Sequence, residues 1–463
     1  MFSKGAMMAE GKLQTIEQLD ADYHMHGYTD AGQNVRTGPL VIDRGEGIYV
    51  FDNHGKRYIE AMSGLWSVAV GFNERRLIDA AMRQFERLPY YHNFSHKSHA
   101  PQIELAEKLV NMAPVAMSKA FFTNSGSEAN DTVLKMIWYR ANALGQPARK
   151  KVISRLRAYH GVTVGAASLT GLAYAQNGFD LPIPGILHTA CPHYWRDARP
   201  SESEDEFSTR LAEELEQLIL REGAETIAAF YAEPLMGAGG VVVPPDGYWR
   251  KIQNVLQKYD ILLVADEVIC GFGRTGNMFG SQTFDIKPDV MVFSKQLSSS
   301  YLPISAVVMN DRFFEPLAKL SSEFGTFGHG LTGGGHPVAA AVALENIRII
   351  EEDDLVRNAS ITGAHMMARL RELAEHPLVG EVRGVGLIAA VELVGDKRSK
   401  TGYKKLGELG KMMNACMAAR GVISRAMGDA LAFCPPLVIT RSQVDEIVDN
   451  FTAALDQVHH YTK

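Results

Sequence analysis

Between residues 119 and 309 six short apolar runs recur, separated by stretches with a helical period. They are Lys119-Ala-Phe-Phe-Thr, Lys151-Val-Ile-Ser, Thr226-Ile-Ala-Ala-Phe-Tyr-Ala, Ile261–Ala265, Val290–Ser294 and Ile304–Met309. Runs this short and this apolar suit strands buried on both faces, and their alternation with helices specifies an α/β fold with a largely parallel sheet. Two of them end on charged residues: Asp266 closes Ile261-Leu-Leu-Val-Ala-Asp, and Lys295 follows Val290-Met-Val-Phe-Ser. In open α/β sheets the ligand site lies just beyond the carboxyl ends of the strands, so a carboxylate and an amine are expected to meet there. Isolated buried charges are costly unless something pairs with them.

The flanks read differently. Residues 1–45 are polar and mixed, and we expect a short helix and an irregular arm. Gly47-Ile-Tyr-Val-Phe-Asp and Arg57-Tyr-Ile-Glu, split by Asn53-His-Gly, form a hairpin pattern. From His336 onward we expect a long helix from Pro337 to about Glu352, helices at about 353–375 and 404–420, strands at Val382–Leu393 and Ala430–Phe433, and a last helix from near Ser442. The expected division is therefore an N-terminal arm and hairpin over 1–76, belonging to a smaller domain, a large α/β domain over 77–335, and a small α+β domain over 336–463. Several cores fit in 463 residues.

Composition excludes some functions. The net charge of −6 is spread thinly, without the clustered basic surface of a nucleic-acid binder. No apolar stretch approaches the roughly 18–20 residues that span a bilayer, so no membrane partner is expected. Cys191, Cys270, Cys416 and Cys434 stand far apart, which fits a reducing compartment rather than a zinc ribbon or a disulfide framework. The first residues lack the long apolar core of a secretory signal, and the expected setting is the cytoplasm.

The Asp266/Lys295 pair gives the chemistry a direction. Pyridoxal 5′-phosphate (PLP) needs a lysine for its aldehyde and an acid for its pyridine nitrogen. Asn124-Ser-Gly-Ser-Glu-Ala-Asn-Asp opens a helix, with Ser125 and Glu128 at capping-box spacing. Plain capping is the ordinary explanation of that spacing; an anion cup at the helix N-terminus, suited to a phosphate, is the alternative that the Asp266/Lys295 pair in the same chain favours. Gly271-Phe-Gly-Arg-Thr-Gly matches GxGxxG but is a decoy, since no helical period follows and no acid closes the next strand. His92, His96 and His99 would share a helix face, yet no carboxylate or cysteine completes a ligand set. His24 and His26 are as weak, and no metal is expected. Tyr28, Trp66, Tyr90, Tyr91, Phe94 and Tyr159 suit an ordinary core, except that Tyr159 follows a strand at the ligand edge and could lie flat on a planar cofactor. Arg425, in a turn-rich stretch, is either a surface arginine or a carboxylate clamp.

Together these motifs resemble the class III (omega) aminotransferases of PLP fold type I, from roughly Tyr23 to Val458. The longest are Phe122-Thr-Asn-Ser-Gly-Ser-Glu-Ala-Asn, Tyr159-His-Gly-Val-Thr, Ala232-Glu-Pro-Leu-Met-Gly-Ala-Gly-Gly, Asp266-Glu-Val-Ile-Cys-Gly-Phe-Gly-Arg-Thr-Gly, Ser294-Lys-Gln-Leu-Ser-Ser-Ser-Tyr and His329-Gly-Leu-Thr-Gly-Gly-Gly-His-Pro. The resemblance implies that Lys295 is the Schiff-base lysine and that Asp266 pairs with the pyridine nitrogen. It implies Ser125, Gly126 and Ser127 for the phosphate, Tyr159 and Val268 for the two ring faces, and Glu233 near the ring hydroxyl. Thr332 is implied to reach the phosphate of a neighbouring subunit, which implies a homodimer; pairing into tetramers stays open.

Ser63-Gly-Leu-Trp66 and Cys191-Pro-His-Tyr-Trp-Arg resemble the amine:pyruvate and β-alanine:pyruvate branch. Ornithine-type members carry an arginine where this chain has Ala432, whereas the amine:pyruvate branch has a mobile arginine matching Arg425. The implied activity is ping-pong amino transfer from an amine or omega-amino acid to a keto acid such as pyruvate. The implied substrate pocket is built from Tyr28, Trp66, Phe94, Tyr159 and Arg425. Taurine, polyamine or 4-aminobutyrate donors remain alternatives, as does a PLP aminomutase or decarboxylase sharing every cofactor residue. A non-catalytic regulator would normally add a DNA-binding domain, and the arm before residue 45 is too short and too little basic for one.

Overall fold

The computed structural model describes residues 14–463. Its centre is a seven-stranded sheet in the spatial order Lys119–Thr123, Ser305–Met309, Val290–Phe293, Leu262–Asp266, Ile227–Ala232, Lys151–Arg155 and Ile186–Thr189. Four of the six pairings are parallel. Ser305–Met309 runs antiparallel to both its neighbours. All six expected strands are present. The seventh, Ile186–Thr189, escaped because His188 and the nearby prolines break its apolar pattern.

Side chains two apart on a strand share a face, so one strand feeds two cores. Val264 packs with Val133, Met136 and Ile137 of the helix Gly126–Ala143. Leu263 faces the other way, onto Phe207, Leu211 and Leu215 of Glu204–Glu222 and Trp249 and Ile252 of Tyr248–Lys258. Helices thus cover both faces, as a parallel sheet requires. Each fully buried leucine or valine contributes about 1.5–3 kcal/mol.

The hairpin of Tyr49–Asp52 and Arg57–Glu60 forms as its alternation implies. A further strand, Ile42–Glu46, joins it, and Arg57–Glu60 also pairs in parallel with Val422–Ile423. Two helices precede them, Ile16–Tyr23 and Ala31–Thr37, where one helix and an irregular arm were expected. The helix Pro337–Glu352 falls where expected. The single strand expected over 382–393 is instead two, Val379–Val385 and Ile388–Leu393, folded back at Gly386-Leu387. They continue through Ala430–Phe433 to Arg425–Met427 in one antiparallel sheet. His92 and His96 lie in irregular backbone rather than on a helix. His99 ends that stretch as the N-cap of Ala100–Met112, its Nδ1 accepting from the Gln102 amide.

Candidate active site

A cavity of about 720 Å3 opens at the carboxyl ends of the central strands. Asp266 is the last residue of its strand and only 3% exposed. Its Oδ2 accepts from Asn130 Nδ2 at 2.9 Å and lies 2.7 Å from His160 Nδ1. Its Oδ1 accepts from the Val268 amide at 3.1 Å. Asn130 is itself held by the Tyr231 hydroxyl, which donates to its Oδ1 at 2.8 Å. A buried carboxylate with this many donors is fixed in direction.

Lys295 follows the adjacent strand and reaches the same cavity. Its φ of +42° is left-handed, a strained conformation for a side-chain-bearing residue. Desolvation pushes its amine down to about 8, while Asp266 and Glu233 pull the other way and Arg425 adds to the depression. Among the described residues the amine has no hydrogen-bond or ion-pair partner. Glu233, just past Ile227–Ala232, is buried; burial raises its carboxyl above the ordinary range. It accepts from the amides of Tyr159 and Gly237 at 3.1 and 2.8 Å.

Ser125 caps the helix Gly126–Ala143, its hydroxyl accepting from the Glu128 amide. The reciprocal arm of the expected box is shifted, because Glu128 Oε2 accepts from Asn124 N at 2.8 Å rather than from Ser125 N. The amides of the first turn have no partner within a helix, and here they face the cavity through Gly126 and Ser127. A Cβ on Gly126 would lie 3.3 Å from Val268 and 3.5 Å from Ser294, so the helix end, Val268 and the lysine loop converge closely.

Tyr28, Trp66, Tyr159 and Arg425 line the other side. Trp66 is buried and stands in the irregular turn Ser63–Trp66, with a φ of +62°. The Tyr28 hydroxyl lies 3.5 Å from that of Tyr159. Arg425 has no ion-pair or hydrogen-bond partner among the described residues. In the sheet register it stands directly opposite Ala432, the alternative arginine position. Cross-strand partners share a face, so the two positions offer a guanidinium to one region from neighbouring strands.

Phe94 and Thr332 do not line this cavity. They lie together on exposed surface: Phe94 packs against Gly330, and the Tyr90 hydroxyl donates to the Thr332 carbonyl at 3.0 Å. Sequence reasoning gave no role to Asn130 or His160, although both fall inside the quoted motifs. A buried asparagine five residues into a helix was the available signal for Asn130. Tyr174, in a short turn without a motif, also lines the cavity and gave none. The GxGxxG segment starts no helix. Its Arg274 is buried and donates to Leu387 O, Pro435 O and Gln296 Oε1, bracing the lysine loop against the C-terminal segment.

Residues 31–455 match the family described as aminotransferase class-III. The chain belongs to that family. Among its relatives is a putrescine–pyruvate aminotransferase of Pseudomonas aeruginosa, 46% identical with 98% of both chains covered. A mitochondrial gamma aminobutyrate transaminase 1 of Solanum lycopersicum is 48% identical, covering 92% of this chain and 83% of the relative. The solved omega transaminase of Pseudomonas jessenii in complex with PMP superposes with a TM-score of 0.97 at 61% identity, covering 97% of this chain and 99% of that one. This class III chain is thus a PLP-dependent transaminase of fold type I, taking an amine donor and a keto-acid acceptor. The donor set fits that cofactor: an unpaired lysine, a fixed carboxylate and a helix N-terminus share one cavity.

Proposed function

We propose that this transaminase moves an amino group from an uncharged amine or an omega-amino acid to a keto acid, pyruvate foremost. The observation that carries this reading is Arg425, an unpaired guanidinium lining the cavity together with Tyr28, Trp66 and Tyr159. One planar cation can take the carboxylate of a keto acid or omega-amino acid. Tyr28, Trp66 and Tyr159 supply the surface against which an apolar amine packs. In the roles proposed here, Asp266 holds the ring nitrogen, Gly126 and Ser127 with Ser125 hold the phosphate, and Tyr159 and Val268 flank the ring. Glu233 supports the ring-hydroxyl side. When bound, PLP supplies the ring that accepts the electrons left by loss of the substrate Cα proton. Lys295, with its lowered pKa, is the base that moves this proton.

We further infer a homodimer in which Phe94 and Thr332 complete the partner's cavity. The exposed cluster of Tyr90, Tyr91 and Phe94 supports this, because such patches mark interfaces. Light scattering on the holoenzyme is expected to give twice the chain mass or a multiple of it; a monomer with full activity would overturn this. The domain division proposed is a large unit over 77–335, with 1–76 and 336–463 forming the smaller one. The parallel pairing of Arg57–Glu60 with Val422–Ile423 supports it. A cytoplasmic setting is part of the proposal, supported by four free cysteines. No described helix is long and apolar enough to cross a membrane.

The test is a panel of amines with pyruvate as acceptor, read out as alanine, on wild type and Arg425→Ala. Wild type is expected to form alanine from aryl-alkyl amines. The variant is expected to lose about 2 kcal/mol in kcat/KM for pyruvate, the low end of a charge-assisted contact because the arginine is only half buried. Its use of the uncharged amine should change little. Equal losses for both substrates, or no alanine from any donor, would overturn the assignment.

A further inference from the structure

Among the described residues, two groups of metal-capable side chains stand outside the cavity. The first, His193 with Glu381 and Glu392, is already filled by guanidiniums. Arg383 donates to both carboxylates at 2.6 Å, Arg157 Nη1 lies 3.1 Å from His193 Nδ1, and Arg196 also bonds Glu392. Against the cost of burial, Arg383 and Arg196 hold the Glu392 carboxyl down to about 2. A metal cation has no place among three positive side chains.

The second group differs in every one of these respects. Asp20 and His24 stand four residues apart at the end of the helix Ile16–Tyr23, and His26 folds back from the loop that follows. His24 Nδ1 lies 2.9 Å from Asp20 Oδ1, and His26 Nε2 lies 2.7 Å from Asp20 Oδ2. The three ligand atoms fall within 4.8 Å of one another, and the two imidazole centroids are 4.4 Å apart. The remaining polar neighbour is Asn34, whose Nδ2 donates to Asp20 Oδ2 at 3.4 Å. No lysine or arginine bonds to the group among the described residues.

We propose that Asp20, His24 and His26 bind one divalent ion of the zinc, copper or nickel class, with water completing its shell. Ions at about 2.0–2.2 Å from nitrogen and oxygen ligands need those ligands a few tenths of an ångström further apart than they stand here. Small rotations of two imidazoles achieve that. The ligand types select the metal: two imidazoles and one carboxylate suit zinc, copper and nickel, whereas calcium and magnesium require oxygen-rich shells. His24, with its side chain 64% exposed, leaves the outer side open for water. The bound ion fastens the end of the first helix to the loop running into Gly27 and Tyr28, both of which line the cavity. The site is therefore joined through the chain to the cavity wall, while none of its three ligands lines the cavity.

The experiment uses chelator-treated holoenzyme, titrated with Zn2+ in competition with a chromophoric chelator. One tight site per chain is expected in wild type, weakened at least about tenfold in His24→Ala and in His26→Ala, as loss of a ligand requires. His460→Ala, which alters an exposed histidine on the last helix, should leave it unchanged. Cu2+ on wild type should show electron-spin coupling to two nitrogens, and on His24→Ala to one. The proposal is overturned if wild type binds Zn2+ no more tightly than the His24→Ala/His26→Ala double variant, or if the tight site survives both substitutions.

Discussion

Lys295 is held in a state that ordinary lysines avoid. Its backbone is left-handed and its amine desolvated, so the free base is populated near neutral pH instead of above 10. That suits the role of base proposed for it, and it carries a stability consequence whose sign is fixed. Below pH 8 the folded and unfolded chains both hold the proton, and the desolvation penalty is constant. Between about 8 and the unperturbed 10.5 the unfolded chain keeps a proton that the folded one has released, so wild-type stability rises with pH there. Cofactor-free Lys295→Met should therefore be more stable than cofactor-free wild type at neutral pH, by on the order of 1 kcal/mol given water in the cavity. Melts at increasing pH should show the gap narrowing above pH 8, and the same variant should have no turnover.

At the scale of elements, the site depends on how closely the loop after Lys151–Arg155 passes the helix N-terminus. Gly161 sits at a φ of +134°, and a Cβ there would lie 2.8 Å from Ser127 Cα and closer still to its hydroxyl. Neither the backbone conformation nor the space admits a side chain. Gly161→Ala is expected to push Ser127 away from the cavity, costing about 1–3 kcal/mol of stability and weakening cofactor retention. Thermal unfolding and the cofactor released on gel filtration measure both; wild-type values for each would refute the close-packing argument. This approach was not legible in the sequence, because it joins residues 34 positions apart through a loop. What was legible is local. The apolar runs ending at Asp266 and Lys295 located the strand ends, and the Ser125 cap located the helix start. Asn130 and His160 went unread because their function is to orient Asp266, a contact that no periodicity encodes. Ile186–Thr189 went unread because an edge strand whose middle residues are only half buried tolerates His188.

For the whole molecule, the loop after Ile227–Ala232 is tied to the C-terminal sheet by a buried charge network centred on Arg383. Its Nε donates to Gly240 O at 2.9 Å, and its terminal nitrogens donate to Glu381 and Glu392 at 2.6 Å. His193, from the Cys191-Pro-His-Tyr-Trp-Arg motif, lies 2.9 Å from Glu381 and brings the region after Ile186–Thr189 into the same network. Removing Arg383 would leave Glu392, 3% exposed, without its principal countercharge. Breaking one side of a buried pair costs about 3–5 kcal/mol, far more than the net worth of the pair. Arg383→Met is therefore expected to melt well below wild type, whereas Arg383→Met with Glu392→Leu should recover part of the loss. Acid distinguishes this from a mere packing defect. Glu392 has its pKa lowered to about 2 in the fold, so the stability it adds is complete above its unfolded value of 4.5 and is lost as pH falls towards 2. The difference between wild type and Arg383→Met should accordingly be full at neutral pH and shrink through that window, whereas a packing defect would keep the same size at every pH.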